Sequence, residues 1–263
     1  MWPECENLPI PATGCSRTGN TAAITPSPGG GKCAIIAAMT LRPARLLAAI
    51  ACLAAPPALR AAGPDCDGAV CLVARDSLVL AHVITFEDVQ SSLGVGYPID
   101  EVLVRPGARF GERFSGQSLL ADGDYDRVTG AALAPLTVIP GAPGATLGAM
   151  RLGPTNVLHG HGPRGFPRVE AIGEGAIAVE FDNDQAALAF DLRGGEQGAL
   201  DITFLRRDGT EIARLRISPL GEESYGFARA GNIADIAGIL ILNSDPQGVA
   251  IDNLAFDKDQ LTG

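Results

Sequence analysis

Residues 200–217 read LDITFLRRDGTEIARLRI, and their pattern decides the fold class. Leu200, Ile202 and Phe204 occupy alternate positions, with Asp201 and Thr203 between them. Side chains of an extended strand point to opposite faces in turn, so this spacing describes a strand buried on one side. Ile212–Ile217 begins a second apolar run after Asp208-Gly209. An Asp-Gly pair between two such runs favours a tight hairpin turn with positive φ.

The same pattern extends outward. Ile177, Val179 and Phe181 share one face, opposite Ala178 and Glu180. Further strands are predicted over Leu78–Phe86, Leu133–Ile139, Ala176–Phe181, Ala187–Leu192, Ser224–Ala228, Ile236–Leu242 and Val249–Phe256. Asp182-Asn183-Asp184 and residues 243–248 carry turn chemistry. Helical periodicity is nearly absent. Many antiparallel strands without helical crossovers predict an all-β chain of two packed sheets. The Gly- and Pro-rich stretch Gly141–Gly175 reads as a surface connection between the sheets, or as a functional loop.

Residues 39–62 have the form of a secretory signal peptide. Met39 opens it, Arg42 and Arg45 give a positive start, and Leu46–Leu59 is apolar, followed by Ala61-Ala62. The apolar run is shorter than the ~20 residues of a membrane span, so no stable span is expected after its removal. Residues 1–38 read either as upstream sequence ahead of a true start at Met39 or as a disordered extension. Residues 63–263 are the expected β-sandwich domain, with 15 basic against 28 acidic side chains, a net charge of −13. That surface argues against nucleic acid and anionic membranes and suits a secreted or periplasmic protein. Cys66 and Cys71 are the only cysteines in this part. In an oxidising compartment they read as a disulfide, with a pair of free thiols as the alternative. Cys52 follows Ala49-Ile50-Ala51, a loose fit to a lipid-attachment box.

Several blocks carry a family resemblance. They are Gly165-Phe166-Pro167, Ile172 to Phe181, Phe204 to Thr210, Asp235 to Gly238 and Gly248 to Phe256. Together they resemble secreted bacterial jelly-roll proteins of the PEP-CTERM-associated type, whose sandwiches are lectin-like or carbohydrate-binding-module-like. The resemblance implies a two-sheet antiparallel jelly roll and specifies a fold much better than an activity. It also departs from the anchored members: Asp257 to Gly263 holds no sorting motif, apolar helix or basic cluster.

The leading candidate site is a structural Ca²⁺ between the first and last strands. Asp88 has the parity of Ile84 and Phe86, and Asp252 that of Leu254 and Phe256. A carboxylate on an apolar face is costly unless a cation or hydrogen bonds compensate. Related carbohydrate-binding modules hold Ca²⁺ at this place, and Glu87 is a further candidate ligand. Strand-end aspartates bonded to loop amides are the plainer reading. Asp122, Asp124 and Asp126 form a second, weaker candidate. They do not make an EF-hand, because its sixth and twelfth positions fall on Arg127 and Leu133. His159-Gly160-His161 presents two imidazoles without a third histidine or cysteine nearby, and His82 reads as a packing residue. Glu170, Glu174 and Glu180 read as solvent-facing or loop acids.

No nucleophile elbow, zinc-protease helix or phosphate loop is present. The leading functional expectation is a non-catalytic exported binding protein for a glycan or surface component. The alternatives are a polysaccharide-active enzyme and a structural or adhesive matrix protein with protein partners. Aromatic platforms for sugar stacking are few: Tyr97, Tyr125 and Tyr225 are the only tyrosines, and the single tryptophan is Trp2.

Overall fold

The structure is a computed structural model that describes residues 68–257 apart from Glu196. The expected signal peptide, the segment before it and Cys66 lie outside the described residues. The described residues belong to one compact unit, Pro57–Gly263. They contain eighteen strands, three short 3₁₀ turns and no helix long and apolar enough to cross a membrane.

In chain order the first strands are β1 (Val70–Ala74), β2 (His82–Ile84), β3 (Tyr97–Ile99), β4 (Leu103–Arg105), β5 (Ala108–Gly111) and β6 (Arg113–Phe114). They are followed by β7 (Ser118–Asp122), β8 (Tyr125–Thr129), β9 (Val138–Ile139), β10 (Leu147–Leu152), β11 (Thr155–Gly160) and β12 (Ile177–Gln185). The last six are β13 (Ala187–Gly194), β14 (Leu200–Leu205), β15 (Glu211–Ile217), β16 (Ser224–Arg229), β17 (Ile236–Asn243) and β18 (Val249–Phe256).

Two large antiparallel sheets form a β-sandwich, as the alternation predicts. The larger has the order β1-β16-β13-β18-β11-β10-β3, with β2 also paired to β18. The smaller runs β15-β14-β17-β12-β5-β4. Phe86, Phe110, Phe181, Phe190, Phe204, Phe227 and Phe256, all fully buried, fill the space between them with Ile, Leu and Val from both inner faces. The alternation read from residues 177–181 and 200–204 is the alternation observed: these apolar residues face this core.

A second apolar cluster lies on the outer face of the smaller sheet. Leu205, Leu240 and Ala178 contribute from the sheet, while Phe114, Leu136 and Val138 cover them. The covering segment is built from the ribbons β6–β9 and β7–β8. Ala178 therefore faces away from the main core and is still fully buried.

The first half differs most from expectation. Leu78–Phe86 yields only the three-residue β2, and Leu133–Ile139 only the two-residue β9. Gly141–Gly175 is not a surface connection: β10 and β11 pair along Leu147–Leu152 and Thr155–Gly160, and β11 also pairs with β18. Glycines allow this packing. A Cβ on Gly160 would lie 2.5 Å from the Gly175 carbonyl. Asp182-Asn183-Asp184 is part of β12, at an irregularity in its register with β17, rather than the turn itself.

Candidate functional site

A cleft of about 770 Å³ lies on the outer face of the smaller sheet. Its floor follows from strand alternation. Positions 200, 202 and 204 of β14 enter the core, so Asp201, Thr203 and Leu205 face outward; likewise Leu240 and Leu242 of β17. Cross-strand register sets Arg214, Thr203 and Leu240 in one row and Arg216, Asp201 and Leu242 in the next. Gln117, Arg127, Val128 and Thr129, from the β7–β8 ribbon and the residue before it, form the facing wall. The β14–β15 hairpin contributes Asp208, Gly209 and Thr210. Its turn is the one expected, with Gly209 at φ 82° and the Arg206 amide donating to the Thr210 carbonyl.

The cleft is mixed in character. Leucine and valine supply an aliphatic floor, while Arg, Asp, Thr and Gln supply donors and acceptors, and none of the lining residues is aromatic. Its carboxylates already have partners. Asp201 pairs with Arg216 at 2.6 Å, and Glu211 with Arg214 at 3.0 Å. The side chain and amide of Thr210 donate to Asp208, which holds its carboxyl below the usual range. Arg127 has no ion-pair partner among the described residues.

The acids with raised pKa values lie elsewhere. Glu112 is fully buried, and loss of solvent pushes its carboxyl up to about 8, although Arg113 Nη1 bonds its Oε2 at 2.9 Å. Burial likewise raises Asp126 to about 6, against the Ala176 amide that donates to it at 3.0 Å. Glu174 is raised to about 7 by burial and by the Asp124 carboxylate. Expected as an open or loop acid, Glu174 is buried with Oε2 unbonded. Glu180 is also buried: its carboxylate reaches Arg109 and accepts from the Val138 amide. Both lie under the covering segment, which the alternation did not reveal. Glu170 is exposed, as expected.

Strand parity breaks at both proposed Ca²⁺ ligand positions. Phe86 has φ 58° and Asn253 has φ 48°, and each shifts the face of the residues beyond it. Asp88 therefore leaves the apolar face: it is largely exposed and pairs with Arg105 at 3.4 Å. Asp252 lies directly opposite Asp191 on the outer side of the larger sheet, its side chain buried and Oδ2 without a hydrogen bond. Burial is the main cause raising the Asp252 pKa, with the Asp191 and Glu87 carboxylates adding to it. Arg193 Nη2 stands 3.9 Å from a carboxylate oxygen of each aspartate. Glu87 accepts from the Asn156 amide at 3.0 Å. The structure thus sets Asp252 beside Asp191 rather than Asp88 and adds a guanidinium that sequence parity did not reveal, and among the described residues no three acids gather to hold a metal.

Asp122, Asp124 and Asp126 do not converge. They span the tip of the β7–β8 hairpin: Asp122 is exposed, Asp124 pairs with Arg164 at 2.7 Å, and Asp126 turns inward to the Ala176 amide. His82 packs edge-on against Phe256 at 5.0 Å, the role its strand position suggests. His159 and His161 are almost wholly buried, with ring centroids 4.7 Å apart. Cys71 is buried in β1.

No protein-family model matches the chain, and no curated protein matches it either.

Proposed function

We propose that the protein is an exported, non-catalytic β-sandwich that binds a glycan in the cleft on the smaller sheet. The observation that carries this reading is the cleft itself: an open groove of about 770 Å³ with an aliphatic floor and charged and hydroxyl-bearing walls. Binding sites of this kind combine apolar contact with a few convergent polar groups. Arg127 on the ribbon wall and Arg214 on the sheet side offer planar donor forks suited to sugar hydroxyls or carboxylates. The lack of aromatic lining favours a ligand held by hydrogen bonds and charge rather than by ring stacking.

Strand order supports the jelly-roll clause. Numbered one to eight, β11 to β18 run 1-8-3-6 in the larger sheet and 2-7-4-5 in the smaller. That order is the one expected of two interlocked Greek keys in a lectin-like jelly roll. Binding is favoured over hydrolysis by the placement of acids. A general acid needs a pKa near the working pH, and Glu112, Asp126 and Glu174, raised to that range, do not line the cleft. The secretory pattern over residues 39–62 supports export.

Calcium stabilisation is a narrower proposal. It rests on the Asp191–Asp252 pair and the unbonded, buried Asp252 Oδ2; no third acid among the described residues is placed to complete a metal site, and Arg193 competes with any cation for the same charge. A melt that rises with added Ca²⁺ and falls on chelation supports the ion; identical melts contradict it and leave Arg193 as the only counter-charge.

A pull-down of the full chain on insoluble and immobilised polysaccharides, with the supernatant assayed for released sugar, tests the main reading. Retention without release supports it. Release of sugar moves the protein to the enzymes, and the absence of both retention and release favours a structural protein with a protein partner.

A further inference from the structure

Three imidazole nitrogens are buried in one place without a hydrogen-bond partner: Nε2 of His159 and both ring nitrogens of His161. Buried polar atoms are nearly always bonded, so three orphans together need an explanation. Local structure brings them together. His159 and His161 are two residues apart at the end of β11 and therefore share a face. That face is the outer side of the larger sheet, because the neighbouring Leu158 enters the core.

Opposite His159 in the register stands Gly148 of β10. A Cβ at this position would meet His159 Nε2 at 2.6 Å and His161 Nε2 at 2.8 Å. Both Nε2 atoms thus crowd the space over a residue that has no side chain. Gly96 leaves room on the other side, where a Cβ would lie 3.1 Å from His159 Nε2. The rings meet edge to face, and Phe166 backs His161 at a centroid distance of 5.8 Å. Burial disfavours the charged form of both imidazoles, leaving neutral rings with free lone pairs. A cavity of about 160 Å³, lined by His159, Met150, Leu152, Arg193 and Gln247, adjoins His159.

We propose that His159 and His161 bind a first-row transition-metal dication, copper or zinc, through their Nε2 atoms, with solvent completing its coordination. Imidazole nitrogen is a preferred ligand for both metals, and divalent copper is expected to bind the more tightly. Among the described residues no group of three or more His, Cys, Asp or Glu is placed to hold a metal. The site is therefore a two-protein-ligand site with open positions, independent of the glycan reading and of the calcium proposal.

The test uses the full chain without a histidine tag, its thiols alkylated and its metals stripped by chelator. The chain has only three histidines, so a long-range ¹⁵N–¹H spectrum of the imidazoles during Zn²⁺ titration resolves every ring. The expected result is that two rings shift with saturation near one equivalent while the third, His82, bonded to the Pro106 carbonyl, stays put. A parallel Cu²⁺ titration read by electron paramagnetic resonance should show two equivalent nitrogen ligands, and His161→Gln should weaken binding at least tenfold. Unshifted rings in the folded wild type overturn the proposal, as does undiminished metal uptake by His159→Gln/His161→Gln. The wild-type spectrum decides the matter even if the variants fold poorly.

Discussion

Asn253 holds a backbone conformation that few side chains accept. Its φ of 48° lies in the left-handed region, and its Nδ2 donates to Asp191 at 2.7 Å. The bulge it makes puts Asp252 outside and Leu254 in the core. Asn tolerates this region and β-branched residues do not. Asn253→Val is expected to lose about 1–3 kcal/mol of stability in denaturant unfolding, with Asn253→Gly nearer wild type. Glu112 gives a second test. Its carboxyl is raised from 4.5 to about 8, so between these pH values the folded state holds a proton that the unfolded chain releases. The group's contribution to stability is then fully present below pH 4.5 and lost as pH rises towards 8. Glu112→Gln, neutral throughout, should unfold at a temperature nearer the wild type's at pH 5 and clearly above it at pH 8. An equal difference at both pH values would refute a buried, raised carboxyl. Sequence parity had no access to either residue: a bulge leaves no periodic mark, and Glu112 sits between two short strands with its carboxylate packed against Gly141.

The long strands of the second half were legible because each carries four or more alternating positions and faces one continuous core. The observed bounds of β18 are those read from the residues, and β14 spans the alternating positions 200–204. The strands from β3 to β9 run for two to five residues, too short for a period to emerge. In β10 and β11, Gly148 and Gly160 interrupt the apolar pattern where the backbone is approached closely. That close approach is testable. A Cβ on Gly175 would fall 2.4 Å from the His161 carbonyl oxygen, which is backbone and cannot swing aside. Gly175→Ala should therefore lower the melting temperature markedly, whereas Gly153→Ala, with open space at its Cβ, should cost only the strain of its φ of 64°. Similar losses for the two would argue against the packed β11–Gly175 contact.

The whole molecule is a sandwich to which a second apolar layer has been added on one side. The main core was visible in the alternation of residues 177–181 and 200–204. The added layer was not, because Phe114 lies in a two-residue strand, and the run Leu133–Ile139 that holds Leu136 and Val138, though read as a strand, carries no mark of covering the outer face of a sheet. This layer covers part of the smaller sheet and leaves the rest as the cleft, so fold and candidate site share one cause. Phe114 is fully buried there. Phe114→Ala is expected to cost about 3–5 kcal/mol in chemical unfolding, the usual penalty for emptying a buried aromatic site. A loss below ~1 kcal/mol would mean the layer adds little to the fold.

Polysaccharide retention by the wild type and by Arg127→Glu/Arg214→Glu, exposed changes on the ribbon side and the sheet side of the cleft, tests the binding site. The wild type is expected to be retained on at least one polymer without releasing sugar. The double variant, with an unchanged melt, is expected to lose that retention tenfold or more. Equal retention of the two proteins would contradict the assignment of the cleft as the binding site.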